Sequence, residues 1–351
     1  MSELKQETQS PFLPGTHIQF AWNSTCLGLL KECPRKYQYT VIDGWGSRDE
    51  SIHLRFGIEY HTALQDYAIS RANGVHHEDA IHDTIRALHG RVHGWVVDRT
   101  LRAGKYKNRE SIVGLVIDYL DHFAEDPAET FILENGQPGV EVSFRFELDW
   151  GPNYARMPLS DSIEAARAEH NPAVGESFPV NLERTTQPYL LCGHLDRVVN
   201  FNSGLYVMDR KTSLSTISGY YFDQWSPNNQ MTLYTLAGNI ILKSPVKGVI
   251  IDAAQPLLEK PNAFGRGFTY RTPDQLDEWL QDLRFWLGQA EAFAQANYWP
   301  QNDTSCTKYG GCQFKEVCSK SPSVREAYLA SMFDKTDHNQ AWNPFFDRSG
   351  E

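Results

Sequence analysis

Residues 189–211 read YLLCGHLDRVVNFNSGLYVMDRK, and the fold turns on how this stretch bends. Residues 189–200 and 205–211 mix β-branched and large apolar residues around the turn-forming triplet Asn202-Ser203-Gly204, so the pattern predicts a hairpin. With Asn202 and Ser203 as a two-residue loop, Phe201 faces Gly204 and Asp196 lies opposite Asp209. Lys211 then shares the face of Asp209 while Arg210 points the other way. Two carboxylates directly opposite on one face repel, their Cβ atoms about 5 Å apart, and a divalent cation removes that conflict. Hard oxygen ligands suit magnesium or manganese, an ion that polarises a phosphoryl oxygen and acidifies water. Lys211 is then placed to orient that water or to stabilise charge developing on a phosphate. A turn one residue later, at Ser203-Gly204, instead sets Asp196 against Lys211 as an ordinary cross-strand ion pair. Geometry alone leaves both registers open.

Outward from the hairpin, residues 23–39 read as a helix that Asn23 or Ser24 can cap, with Leu27, Leu30 and Cys33 at helical spacing. Further helices are expected over 56–72, which carries His61, and over 77–103 and 108–125, so the N-terminal half is helical. Gly139–Trp150 alternates apolar and polar residues as a half-buried strand does, and bears Glu141, a further candidate ligand. Residues 151–188 are rich in Pro, Asn, Ser and Glu and read as a long loop. Residues 212–225 read as a loop before a helix containing Gln230 and Tyr234, with Pro227 near its start. Strands are expected over 246–254 and 267–271. A helix capped by Thr272, with Pro273 in its first turn and Gln275 completing the cap, runs to about Asn297. One more helix is expected after Pro322, and the tail beyond it has no usable periodicity.

The pair GHLDRV and VMDRK resembles the D and D-x-K elements of the PD-(D/E)XK nuclease superfamily, specifically its RecB-like branch. In that branch a helix after the second strand carries Q-x-x-x-Y, matched by Gln230 to Tyr234, and an upstream helix carries G-x-x-x-H, matched by Gly57 to His61. Cys33 in CPRKY, followed by Cys306, Cys312 and Cys318 behind the core, is similar to the iron–sulfur members, including AddB-type and CRISPR-adaptation nucleases. The similarity runs from about Ser24 to Cys318 with the motifs in order. It implies an α/β fold: a restriction-endonuclease-like core with a central mixed β-sheet flanked by helices, a helical N-terminal half and a C-terminal iron–sulfur clasp. The corresponding division is 1–135, 136–300 and 301–351, packed as one unit. It further implies a DNA nuclease dependent on Mg2+ or Mn2+, with exonuclease action by analogy. Asp196, Asp209, Lys211, Gln230 and Tyr234 would be catalytic. His61, Asp196, Asp209 and the Arg210 main-chain carbonyl would hold the ion. Cys33, Cys306, Cys312 and Cys318 would hold a [4Fe-4S] cluster. The implied partners are DNA, single-stranded or with free ends, and a separate helicase or recombination protein, since no P-loop occurs in this chain. A catalytically inactive DNA-binding or assembly protein of the same fold is the alternative.

Read from the residues alone, the four cysteines would close a very long loop and act as a clasp. Zinc also accepts four thiolates, and buried or free thiols are the plain alternative. Cys26 is the rival to Cys33, and Cys192 reads as a small core residue. At 351 residues, with 41% apolar and 12% aromatic content, the composition is that of a globular protein. No apolar run of membrane-spanning length occurs, and the polar start MSELKQETQS lacks a signal-peptide pattern, so no membrane association is expected. Six unevenly spaced cysteines do not resemble a secreted disulfide framework, and a cytoplasmic location is expected. The net charge of -11 argues against nucleic-acid binding by bulk charge. A local basic groove remains open, with Arg35, Lys36, Arg102, Lys105, Lys107 and Arg109 as candidate phosphate contacts and a solvated surface as the alternative. His89 and His93 share a helix face, but no third ligand accompanies them.

Overall fold

In the computed structural model, which describes residues 10–152 and 187–335, Asn202 and Ser203 take φ values of 46° and 57°. Two successive left-handed residues make the mirror-image turn whose twist matches that of paired strands, and Asn tolerates this conformation well. Phe201 therefore pairs with Gly204 and Arg197 with Met208, which selects the first of the two registers and leaves Asp196 in line with Asp209.

The strands are β1 (Ala21–Trp22), β2 (Trp45–Ser47), β3 (Glu129–Thr130), β4 (Val140–Glu147), β5 (Leu190–Phe201), β6 (Gly204–Thr212), β7 (Val246–Gln255), β8 (Ala263–Thr269) and β9 (Phe333–Lys335). The described chain divides into two units, residues 49–144 with 194–276, and residues 10–48, 145–152, 187–193 with 277–335. In the former, β5, β6, β7 and β8 lie side by side, and β3 and β4 also pair with β5. The sheet is mixed: β6 runs antiparallel to β5 and parallel to β7, and β8 is antiparallel to β7. This is the α/β arrangement expected, a central mixed sheet flanked by helices. The helices Ile52–Ala72 and Arg109–His122 cover the face carrying Arg210 and Asp252, through a core that includes Phe56, Tyr60, Leu64, Ile112 and Tyr119. The helix Asn229–Ile241 serves the face carrying Lys211. Gly238 lets it lie close, since a Cβ there would meet Val246 Cγ2 at 2.9 Å.

In the other unit, β1 pairs in parallel with the start of β5, and β2 pairs with β9. The single helix expected over 23–39 is broken. Asn23 caps Ser24–Glu32, Cys33 is extended with φ -163°, and Pro34–Tyr37 begins a second helix that passes into a π-turn over Gln38–Ile42. Pro34 has no N–H to donate and its ring disfavours a helical Cys33.

Other boundaries also move. The helix expected over 77–103 ends at Val92 ahead of Gly94, and Arg102–Tyr106 forms separately. Asn108 and Ser111 make a reciprocal cap for Arg109–His122. A short helix, Gly219–Asp223, interrupts the loop expected over 212–225, with Ser218 as its cap. Strand β8 begins at Ala263, before the expected residue 267, because its ladder with β7 extends to the pair Gln255 and Ala263. Thr272 and Gln275 cap Pro273–Gln295 as expected. The helix Arg325–Met332 follows Pro322. Most of the loop expected over 151–188, and the tail from residue 336, lie outside the described residues. No described helix is long and apolar enough to cross a membrane.

Lys107 is not a surface contact: it is only 2% exposed. Its Nζ donates to Thr212 Oγ1 at 3.1 Å and lies 5.1 Å from the Phe56 ring centroid. Neither contact is anionic, and burial pushes the ammonium down to about 8. A lysine titrating lower when folded than when unfolded penalises the fold fully below about pH 8, and the penalty fades as pH rises towards the unfolded value near 10.5. The cost at neutral pH is on the order of 3 kcal/mol. Lys107→Met is therefore expected to stabilise the protein at pH 7 by about 1–3 kcal/mol, with the gain shrinking by pH 9.5. Urea unfolding at the two pH values checks this; a variant less stable at both would show that the ammonium is a net asset.

Candidate functional site

Asp196, on β5, accepts the Arg210 main-chain N–H at 2.9 Å through Oδ2, and the same oxygen lies 3.2 Å from His61 Nδ1. Glu141 joins them from β4: one donor atom each of His61, Glu141 and Asp196 lie within 4.8 Å of one another. Glu141 has φ 48°, a left-handed backbone inside a strand that non-glycine residues seldom adopt. Such strain collects at functional positions, where it re-aims a side chain.

Beside this trio, Lys211 Nζ contacts both Asp209 carboxylate oxygens, at 2.9 and 2.8 Å, and donates to Gln230 Oε1 at 3.2 Å. Gln230 Nε2 donates to Tyr234 Oη at 2.9 Å. The spacing of four residues sets Gln230 and Tyr234 one turn apart on the same helix face, so they reach the strand together. Lys211 Nζ also lies 5.4 Å from the Trp225 ring centroid, a cation–π contact with no signal in the sequence.

The electrostatics follow from burial. Asp209, 1% exposed, has its carboxyl raised well above the usual range by desolvation; Lys211 pulls it back and Asp196 pushes it further. His61 is lowered by burial, with Asp196 opposing, so its ring favours the neutral form that can ligate a metal. Tyr234 is raised, first by burial and then by Asp196 and Asp209, and keeps its hydroxyl proton. A nitrogen and two carboxylates converging at this distance make a hard donor set suited to a divalent cation.

Of the residues expected here, His61, Asp196, Asp209, Lys211, Gln230 and Tyr234 meet in one place. Arg210 contributes its main-chain N–H to Asp196, while its side chain lies on the opposite face of β6. Glu141, a minor candidate in the sequence, stands closer to His61 and Asp196 than its position on an isolated strand suggested. His89 and His93 meet no third ligand group of this kind among the described residues.

The second cluster lies in the unit that holds β1. Cys33 accepts the Asn302 main-chain N–H at 3.4 Å, and Cys306 Sγ donates to Asn302 O at 3.9 Å. The Cys312 main-chain N–H donates to Cys306 O at 3.0 Å. Cys312 and Cys318 pack against Tyr39, Phe314 and Val317. The Cys306 thiol is raised by burial and then by Cys312 and Cys33. Cys318 is raised by burial, lowered by Arg35 and Arg325, and raised again by Cys33 and Cys312. Cys33 is thus the N-terminal cysteine in electrostatic reach of Cys306 and Cys318, which both also feel Cys312. Cys26 is fully buried, raised to about 11 by desolvation, and hydrogen-bonded to Gln19. Cys192 is buried beside Arg145 and raised to about 12. Arg35, expected as a phosphate contact, is buried with its Nε donating to Trp299 O.

No curated protein matches the chain by sequence. Among solved structures, one from Eubacterium rectale described as a candidate exonuclease is similar at 10% identity over 92% of this chain and 94% of that one, with a TM-score of 0.44. The solved protein SSO0001 is similar at 14% identity over 86% of each chain, with a TM-score of 0.30. Neither likeness is close enough to carry an argument about function. The PD-(D/E)XK nuclease superfamily profile matches residues 21–319, most of the chain and every motif residue described above. On that match the chain belongs to the PD-(D/E)XK nuclease superfamily.

Proposed function

We propose that the protein hydrolyses phosphodiester bonds in DNA with magnesium or manganese, acting from free strand ends. The observation that carries this reading is the convergence of His61, Glu141 and Asp196 next to the Asp209–Lys211–Gln230–Tyr234 chain. His61, Asp196 and Glu141 would hold the ion, with Asp209 and the Arg210 main chain beside them. When bound, the ion supplies a Lewis acid for the phosphoryl oxygen and acidifies water. Lys211 offers an ammonium whose direction is fixed by Asp209 and Gln230, available to stabilise charge on the phosphate. Tyr234 fixes Gln230 in turn, so the lysine is held rather than free to swing. Work is thereby divided between holding the ion, by His61, Glu141 and Asp196, and positioning of Lys211 by the helix.

Cys33, Cys306, Cys312 and Cys318 would ligate a [4Fe-4S] cluster, a reading supported by their mutual electrostatic reach and by the family's cysteine pattern. Reduced thiols in this arrangement suit a cytoplasmic setting. A separate helicase or recombination protein fits an enzyme that works on single-stranded or free-ended DNA.

Incubation with end-labelled linear and covalently closed circular DNA, in manganese and in chelator, tests the reading. Metal-dependent loss of the linear substrate is expected, with circles spared. Cleaved circles would replace the exonuclease assignment with an endonuclease. No cleavage of any DNA in manganese would overturn the activity and favour a DNA-binding protein of the same fold.

A further inference from the structure

A cavity of about 330 Å³ lies on the Arg210 face of β6, away from Asp209 and Lys211, between the helices Ile52–Ala72 and Arg109–His122 and the strands β3 and β5. Its size falls at the small end of the range for small-molecule sites, roughly 300–1,000 Å³. Tyr67, Tyr119 and Phe123 line it together with Arg71, Arg197 and Arg210.

Charge in this region does not balance. Asp126 is bridged by Arg197 and by Arg266, and Asp252 is held by Arg266 and the Tyr119 hydroxyl. Arg210 is the guanidinium left over. It is 2% exposed, and among the described residues its Nε and Nη1 have no hydrogen-bond partner. The cavity's other carboxylate, Glu129, is exposed to solvent. An ion this deeply buried without a counter-charge is costly, and guanidinium matches phosphate and carboxylate geometry. Arg71, exposed, donates through Nη1 to Val75 O at 2.7 Å and hydrogen-bonds Tyr67, and offers a second cation at the same cavity.

We propose that this cavity is a binding site for a small phosphate monoester with a flat, ring-bearing body of mononucleotide size, its phosphate balancing Arg210 and its body lying among Tyr67, Tyr119 and Phe123. The site is separate from the nuclease reading and does not depend on it. Because Arg210 stands between Asp209 and Lys211 in β6, and its main-chain N–H anchors Asp196, occupancy here would bear on the strand that carries the acidic site. The phosphate can come from a free nucleotide or from the end of a DNA strand.

Calorimetric titration of the full chain in chelator, with inorganic phosphate, dAMP, deoxyadenosine and a short oligonucleotide with or without a 5′-phosphate, tests this. Phosphate and dAMP are expected to bind and deoxyadenosine not to bind. Arg210→Met and Arg71→Ala should each weaken dAMP by at least about tenfold, the loss of one charge-assisted contact. Lys211→Ala, on the other face, should leave dAMP affinity unchanged. Competition by the 5′-phosphorylated oligonucleotide alone would identify a strand end as the source, and its failure to compete a free nucleotide. Absence of dAMP binding at millimolar concentration, equal affinity in both arginine variants, or loss of binding in Lys211→Ala would overturn the proposal. Arg71 is exposed, so its variant keeps the test decisive even if Arg210→Met does not fold.

Discussion

Asp196→Asn is expected to lower DNA cleavage by at least about a thousandfold while raising the stability of the metal-free protein. The two effects have one cause. Asn keeps an oxygen to accept the Arg210 N–H, so the join between β5 and β6 survives, but it removes a negative charge from beside Asp209 and Glu141. Without an ion those carboxylates repel in a poorly solvated site, and one fewer charge relieves the fold. With an ion the same charge is what holds it. Urea unfolding in chelator measures the first effect, and cleavage in manganese the second. Undiminished cleavage by the purified variant would remove Asp196 from the proposed ligand set. A loss of activity accompanied by lower stability in chelator would mean that the residue acts mainly in folding.

Cys33→Ala or Cys312→Ala is expected to release iron and to lower Tm by roughly 7 °C, whereas Cys192→Ala should leave the iron content unchanged. Four thiolates joining the N-terminal segment to residues 306–318 would close a loop of most of the chain, and such a closure is worth on the order of 5 kcal/mol in chain entropy alone. A loss of that size, in a protein of this length, moves Tm by roughly 7 °C. Iron and acid-labile sulfide assays, run beside a thermal melt, give the answer. Stoichiometric zinc in place of iron would replace the cluster by a zinc centre, and unchanged Tm in both variants would dismiss the clasp altogether.

Much of this arrangement is local and therefore legible in the sequence. Alternating apolar residues around Asn202 and Ser203 specify a hairpin, and strand alternation alone separates Arg210 from Asp209 and Lys211. The i,i+4 spacing of Gln230 and Tyr234 puts both on one helix face whatever the helix packs against. Pro34 illustrates the opposite error: periodicity through Leu27, Leu30 and Cys33 suggests one helix, but the missing N–H and the ring of proline end it at Cys33. Lys107 sits in a basic stretch that reads as solvated surface, and only packing against Phe56 and Thr212 takes it inside.

The sequence by itself determined the longer strands of the sheet, the faces of their side chains and the order of the motifs, because these depend on φ/ψ preferences and on periodicity within a few residues. Only the tertiary structure decided which turn register was used, that Glu141 stands with His61 and Asp196, that Cys33 rather than Cys26 meets the C-terminal cysteines, and that the Arg210 guanidinium has no ion pair among the described residues. Each of these outcomes depends on groups far apart along the chain, brought together by the burial of apolar faces, and a local pattern carries no information about which distant charges that burial will leave side by side.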